Sequence, residues 1–214
     1  MLDRKKVAMV VAEFLGTGVL TLGYLSVSKS NLGLPFFVAV VAGVVAVAMM
    51  LVLRSVSGAQ FNPAVTVALW TARRVKTMPA VMYVAAQLLG GWAAYWLFKY
   101  YVNQGWSNVG HYSAKVLVAE AVGTAVLGLA WGAVAYNKLE DSKAASVIGV
   151  ALVVGILVAS ATTTAILNPA VALGVRMWGW GTYVLGPVLG AVLGVNLYGL
   201  LFAPAETKVA AKKK

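Results

Sequence analysis

Six stretches of this chain are long and apolar enough to cross a lipid bilayer. They cover residues 7–27, 35–53, 79–101, 114–136, 144–161 and 181–203. A helix of about 20 apolar residues spans a hydrocarbon core of about 30 Å, and helices satisfy their backbone hydrogen bonds without water. Hydrophobic residues make up 61% of the chain and charged residues 11%. The sequence therefore predicts an all-α integral membrane protein in which residues 1–214 form one domain.

The basic residues are distributed unevenly between the two ends of the predicted spans. If the N-terminus is cytoplasmic, 13 of the 17 Lys and Arg residues lie on the cytoplasmic side. The positive-inside rule then predicts that both termini are cytoplasmic, and we expect the protein in the plasma membrane with a basic tail at residues 206–214. The net charge of +11 does not indicate nucleic-acid binding, because the basic residues flank the spans instead of forming one face.

The letters NPAV occur twice, after the second span and after the fifth span. The two motifs are Asn62, Pro63 and Ala64, and Asn168, Pro169 and Ala170. Asn is a favoured helix N-cap and Pro is favoured at the first helical position, so each motif predicts a helix start. About a dozen residues follow Asn62, enough for roughly 18 Å of helix, or half a bilayer. We therefore expect two re-entrant half-helices that meet N-terminus to N-terminus, where both Asn side chains face the solute path and the helix dipoles repel cations.

A second repeated motif shows that the chain is duplicated. The segment AEFLGT contains Glu13, and AEAVGT contains Glu120, 107 positions later. An odd number of spans in each copy makes the copies antiparallel, so we predict an inverted three-helix repeat with repeat one at about 1–105 and repeat two at about 106–205. Buried carboxyl groups need partners. We expect Glu13 and Glu120 to accept hydrogen bonds from the re-entrant loop of the same half, with a proton relay as the alternative.

These features together resemble the aquaporin, or major intrinsic protein, family. The resemblance rests on the paired NPA and AExxGT motifs and on AQLLGG at 86–91 and GPVLGA at 186–191, and it runs nearly end to end. It implies a fold of six transmembrane helices and two half-helices, a homotetramer with one pore per subunit, and passive conduction of water or small neutral solutes. It implies no cofactor.

The sequence departs from the family at the constriction that sets selectivity. In the family an arginine directly follows the second NPA motif, and here that position is Val171. By spacing from the two Asn residues, the other three filter positions fall on Ala42, Ile156 and Ala165. All four are apolar, so we expect a wider and less polar opening. The aspartate that is typical of the glycerol-conducting branch is replaced by Ala172, which gives no reason to assign the chain to that branch.

Three functions remain open at this point. The first is a passive channel for water and small neutral solutes such as glycerol. The second is an ion-coupled or proton-coupled secondary transporter, because such proteins also contain inverted repeats and broken helices. The third is a structural membrane protein that conducts poorly. An enzyme is not indicated, because the sequence shows no acid/base pair, activated nucleophile, phosphate-binding loop or metal cluster, and we expect no metal.

Overall fold

The computed structural model describes residues 3–30, 34–103, 112–162 and 165–205, which form helices joined by short connections. The long helices are α1 (Arg4–Lys29), α2 (Pro35–Ser57), α4 (Thr77–Val102), α5 (Ala114–Asn137), α6 (Asp141–Ala159) and α8 (Gly186–Leu201). A π-helical turn, Gly181–Leu185, leads directly into α8. The short helices are α3 (Pro63–Thr71) and α7 (Pro169–Gly174). The prediction of six membrane spans is confirmed, because six helices have the necessary length and apolar composition.

Local sequence explains where several helices begin and end. Asp3 caps α1 by accepting a hydrogen bond from the backbone N–H of Lys5 at 3.1 Å. Ser113 caps α5 in the same way through the N–H of Val116, at 3.4 Å. The chain leaves α2 at Gly58, whose φ of 94° is left-handed and is readily adopted by a residue without a Cβ. These capping groups satisfy backbone donors and acceptors that the helix ends leave unpaired.

The two repeats pack against each other through α2 and α6. α2 crosses α6 at Gly43 and Gly149, which are equivalent residues of the two repeats. A Cβ on Gly43 would lie 2.8 Å from the carbonyl oxygen of Gly149, and a Cβ on Gly149 would lie 2.9 Å from that of Gly43. Small residues allow helix backbones to approach this closely, as is common between membrane helices. Within each repeat, α1 packs on α4 and α5 packs on α8.

The two short helices enter the bundle from opposite ends. α3 finishes at the end where Arg54, Arg74 and Lys76 surround one depression, which we call the basic end. α7 runs toward the other end, since Gly174 at its C-terminus packs against Thr21 in the distal half of α1. α3 contacts α4 and α8, and α7 contacts α4 and α1. Both short helices are shorter than the sequence suggests. Two residues after the last helical residue, Arg73 follows α3 and Arg176 follows α7, and each has a left-handed φ that a continuing α-helix cannot contain.

An ion pair at the basic end links the repeats. Arg54 of α2 contacts Asp141 of α6 and also donates to the carbonyl oxygen of Leu139 at 3.0 Å. This contact fixes the end of α2 beside the start of α6, close to the loop that leads into α3. The predicted basic tail at residues 206–214 lies outside the described residues.

Candidate functional site

The two half-helices meet through reciprocal hydrogen bonds between their capping residues. Asn62 Nδ2 donates to the carbonyl oxygen of Leu167 at 2.9 Å, and Asn168 Nδ2 donates to the carbonyl oxygen of Phe61 at 2.9 Å. Each Asn also caps its own helix: Asn62 Oδ1 accepts from the N–H of Ala64 at 2.9 Å. Each donor and acceptor in one repeat has its equivalent in the other 106 positions away. The two loops are therefore joined symmetrically at the centre of the bundle.

The amide groups at this junction retain some capacity for a solute. Each side-chain NH2 group has two N–H bonds, and the reciprocal contact uses one of them. Asn62 and Asn168 both lie in the wall of a cavity that runs between the half-helices and the long helices, which we call the central cavity. The second N–H of each amide is therefore the polar group that the junction can offer to a molecule in the cavity.

Glu13 fixes the loop that leads into α3. Its side chain is fully buried and accepts four hydrogen bonds. The donors are Ser57 Oγ at 2.7 Å, the N–H groups of Gln60 at 3.0 Å and Phe61 at 2.7 Å, and Gln87 Nε2 at 2.8 Å. Ser57 is the last residue of α2, Gln60 and Phe61 belong to the loop, and Gln87 comes from α4. The carboxyl group therefore connects α1, α4 and the loop at one point.

Glu120 has the same relation to the loop that leads into α7. It is fully buried and accepts from the N–H groups of Ile166 at 3.0 Å and Leu167 at 2.7 Å. Leu167 has a left-handed φ of 55°, as its equivalent Phe61 does at 51°. Residues with a Cβ adopt this conformation at a cost, so the surrounding structure must hold them there. The two glutamates supply acceptors at the positions where the backbone is strained. Residues 163–164 of this loop lie outside the described residues.

The central cavity is narrow and mainly apolar. The volume open to the centre of a water molecule is about 30 Å³, while about 10–15 Å³ is sufficient for one water. The side chains with polar groups in its lining are Asn62, Asn168, Gln60, Tyr24 and Trp131. A single file of small molecules is what a cavity of this size can hold.

The structure brings together two of the four residues predicted to form the selectivity filter. Ala42 and Val171 line the central cavity. Ile156 and Ala165 are fully buried, and neither belongs to the described lining of the cavity. Ala165 contributes through its backbone, because its carbonyl oxygen accepts a hydrogen bond from the Tyr24 hydroxyl. The ring of Tyr24 also belongs to the lining of the cavity, beside Ala42 and Val171.

Arg176 does not replace the arginine that is missing at Val171. Its guanidinium lies over the ring of Trp178, 4.2 Å from the centroid, and 5.0 Å from the centroid of the Tyr95 ring. Arg176 is absent from the described lining of the central cavity. Cation–π contacts of this kind stabilise an arginine side chain against aromatic rings, and here they hold the guanidinium beside Trp178 and Tyr95.

Sequence reasoning missed two aromatic residues of the cavity wall. Tyr24 of α1 and Trp131 of α5 are both buried and line the central cavity. A signal was present: each lies 11 residues after the glutamate of its repeat, which is about three helical turns and therefore the same helix face. Gln87 was also missed, although it lies in a motif shared with the family.

The fold and the site define a class of protein: a membrane channel of six spans whose two re-entrant half-helices meet at paired Asn residues. The model of the family described as major intrinsic protein matches residues 3–198, and the chain belongs to this family.

Within the residues that the structure describes, no three His, Cys, Asp or Glu side chains are grouped as they are around a metal ion.

Similar proteins agree with this assignment. Aquaporin NIP1-1 of Oryza sativa subsp. japonica is 31% identical over 210 residues, which cover 90% of this chain and 73% of that protein. Aquaporin Z of Photorhabdus laumondii is 29% identical over 228 residues, which cover 92% of this chain and 98% of that protein. The X-ray structure of the aquaglyceroporin from Plasmodium falciparum superposes with a TM-score of 0.78 at 21% identity, covering 95% of this chain and 99% of that one. This last similarity shows the fold.

Proposed function

We propose that the protein is a passive transmembrane channel for water, with small uncharged solutes such as glycerol as further candidates. The observation that carries this proposal is the reciprocal junction of the half-helices, which joins two helix N-termini and two side-chain amides in the wall of a narrow cavity. The aquaporin names of the similar proteins support it. Membership of the major intrinsic protein family supports it further.

The geometry explains how a neutral molecule passes and a cation does not. A water molecule in the cavity accepts a hydrogen bond from the second N–H group of Asn62 or Asn168 and can pass from one to the other. The free-energy cost of passing the junction is therefore small for water. A cation would lose its hydration shell in an apolar cavity and would face the positive ends of two helix dipoles. The junction supplies N–H donors, which a cation cannot use.

A coupled transporter is less well supported. Coupling to protons or ions requires titratable groups along the path. The buried carboxyl groups of the described spans are Glu13 and Glu120, and both accept hydrogen bonds from the re-entrant loops. A carboxyl group engaged in this way stabilises the loops, so we propose that both residues anchor loops.

We also propose that the constriction lies beyond the junction of the half-helices. The residues proposed to surround it are Ala42, Ile156, Ala165 and Val171.

The surroundings of the channel form part of the proposal. We propose that the chain inserts as one domain with two inverted repeats, that it assembles as a homotetramer in the lipid of the plasma membrane, and that both termini are cytoplasmic. The basic end would then face the cytoplasm, as the positive-inside rule requires. Exposed Leu, Val and Trp side chains along the outer faces of α4 and α8 are suited to lipid or to neighbouring subunits.

Stopped-flow light scattering on proteoliposomes tests the function. An outward osmotic gradient of an impermeant salt should shrink the vesicles faster than protein-free vesicles, with a low activation energy. Glycerol and urea gradients then rank the candidate solutes in the same preparation. Water flow equal to that of protein-free vesicles would contradict a channel, and solute uptake that depends on a proton or sodium gradient would support the transporter.

A further inference from the structure

Tyr24 and Trp131 occupy equivalent positions in the two repeats. They are 107 positions apart, the same separation as Glu13 and Glu120. Tyr24 is 5% exposed and Trp131 is 4% exposed, and both line the central cavity. Tyr24 contacts the loop that leads into α7, and Trp131 also lines the depression at the basic end, so the cavity has an aromatic side chain toward each of its ends.

The ring of Tyr24 is fixed across the boundary between the repeats. Its hydroxyl donates to the carbonyl oxygen of Ala165, which belongs to the loop of the other repeat. Ala42 and Val171, whose side chains are smaller than the tyrosine ring, line the same cavity. The hydrogen bond fixes the ring in the wall of the cavity, because the tyrosine cannot rotate away without breaking that bond.

Trp131 stands between the central cavity and the basic end. It lines the cavity and also the depression at the basic end, together with Gln60. Gln60 Oε1 is buried and has no hydrogen-bond partner among the described residues. A buried acceptor without a partner costs free energy unless water or a solute satisfies it. The indole ring of Trp131 and the side chain of Gln60, whose Oε1 has no partner among the described residues, therefore both belong to the lining of the cavity.

We propose that Tyr24 and Trp131 form a two-ring size filter, which admits water and excludes solutes as large as glycerol. The proposal rests on the channel function proposed above and narrows its substrate to water-sized molecules. Diameter and the polarity of the lining determine selectivity in a pore. Ala42 and Val171, the two residues of the expected constriction that line the cavity, are smaller than either ring, and Gln60 Oε1 offers a passing water one acceptor.

Permeability ratios of variants test the filter in proteoliposomes with equal amounts of protein. We expect Tyr24→Ala and Trp131→Ala to raise the ratio of glycerol to water permeability several-fold over wild type. Tyr24→Phe retains the ring and removes the hydrogen bond to Ala165, so we expect a smaller increase. The matched control is Trp92→Ala on the exposed face of α4, which should leave the ratio unchanged.

The outcomes separate the filter from the channel itself. If wild type conducts no more water than protein-free vesicles, the channel function fails. If wild type conducts water and the ratio in Tyr24→Ala and Trp131→Ala equals that of wild type, the channel stands and the filter is overturned. Where an alanine variant does not fold, Trp131→Phe and Tyr24→Leu decide the question, since each retains an apolar side chain of reduced size and should still raise the ratio.

Discussion

Single residues with several hydrogen bonds hold the re-entrant loops of this protein. Glu13 accepts from three elements, and Asn62 and Asn168 each cap one half-helix and donate to the other loop. In a membrane, a donor that loses its acceptor has no water to replace it. Substitution of these residues should therefore lower the stability of the protein more than substitution of exposed polar residues.

Replacing Glu13 with Ala should destabilise the protein before it affects selectivity. The change leaves four donors without an acceptor, each at a cost of roughly 1–3 kcal/mol. We expect a lower midpoint of thermal unfolding in detergent and a lower yield of assembled protein, measured by circular dichroism and size-exclusion chromatography. The control is Glu140→Ala, since Glu140 is exposed. A Glu13→Ala protein with the stability of wild type would contradict the loop-anchoring role.

Replacing Asn168 with Asp should separate the two roles of this residue. Asp retains an oxygen that caps α7, but it cannot donate to the carbonyl oxygen of Phe61 and it adds a negative charge to the cavity wall. We expect the protein to fold and to lose part of its exclusion of cations, measured as sodium conductance in planar bilayers. Asn168→Ala should also lose the cap, worth about 0.5–2 kcal/mol. Asn137→Asp, in an exposed position, is the control, and equal conductance in both Asp variants would argue against a path at the junction.

At the scale of elements, the packing of α2 on α6 determines the geometry of the junction. The two helices cross at Gly43 and Gly149, and each is followed along the chain by the loop and half-helix of its repeat. A change that separates these helices also separates the capping residues that they position. Close packing at this crossing therefore acts on the site, although neither glycine lines the cavity.

Replacing Gly43 with Val should weaken this contact and reduce water flow. The first added carbon would lie 2.8 Å from the carbonyl oxygen of Gly149, so the helices must move apart. The matched control is Gly18→Ala, where the added carbon would lie 3.4 Å from the nearest atom, an ordinary contact. Thermal unfolding and water permeability of the same preparations provide the measurement. If Gly43→Val and Gly18→Ala have the same unfolding temperature and the same water permeability, α2 and α6 are less closely packed at this crossing than the structure indicates.

At the scale of the whole molecule, the chain carries no thiol that a reagent can modify. It has no cysteine, and its buried carboxyl groups are enclosed by loops. Any reagent that acts on thiols must therefore act on something other than this protein. A cysteine placed by mutation would be unique in the chain, which makes the channel suitable for mapping its path.

Water flow through the wild-type protein should be insensitive to mercurial reagents, because a thiolate is the group they modify. Val171→Cys should make the flow sensitive, since position 171 lines the cavity, and added thiol should reverse the block. Trp92→Cys, outside the cavity on α4, is the control for non-specific inhibition. Two results would contradict a water path along the central cavity. One is inhibition of water flow through the wild-type protein by mercurial reagents, and the other is unchanged water flow through Val171→Cys in their presence.

Much of the fold could be predicted from one sequence, because a segment that spans the bilayer must satisfy its backbone hydrogen bonds internally and must be apolar over a fixed length. Apolar length determined the six spans, and the repeated motifs around Glu13, Asn62, Glu120 and Asn168 determined the inverted repeat and the two half-helices. The ends of the half-helices were less predictable, because left-handed residues after α3 and α7 stop them early.

The sequence by itself determined that this is a membrane protein of six spans with two half-helices that begin at Asn-Pro, since hydrophobic length and capping chemistry are local properties. Only the tertiary structure decided which side chains face the path. Spacing indicated Ala42 and Val171, and the structure adds Tyr24 and Trp131 to the lining of the same cavity, while the filter positions of Ile156 and Ala165 stay a prediction. The physical reason is that the lining of a cavity depends on how the helices rotate and cross. Those rotations depend on contacts between residues about 100 positions apart, such as Gly43 with Gly149, which no local pattern encodes.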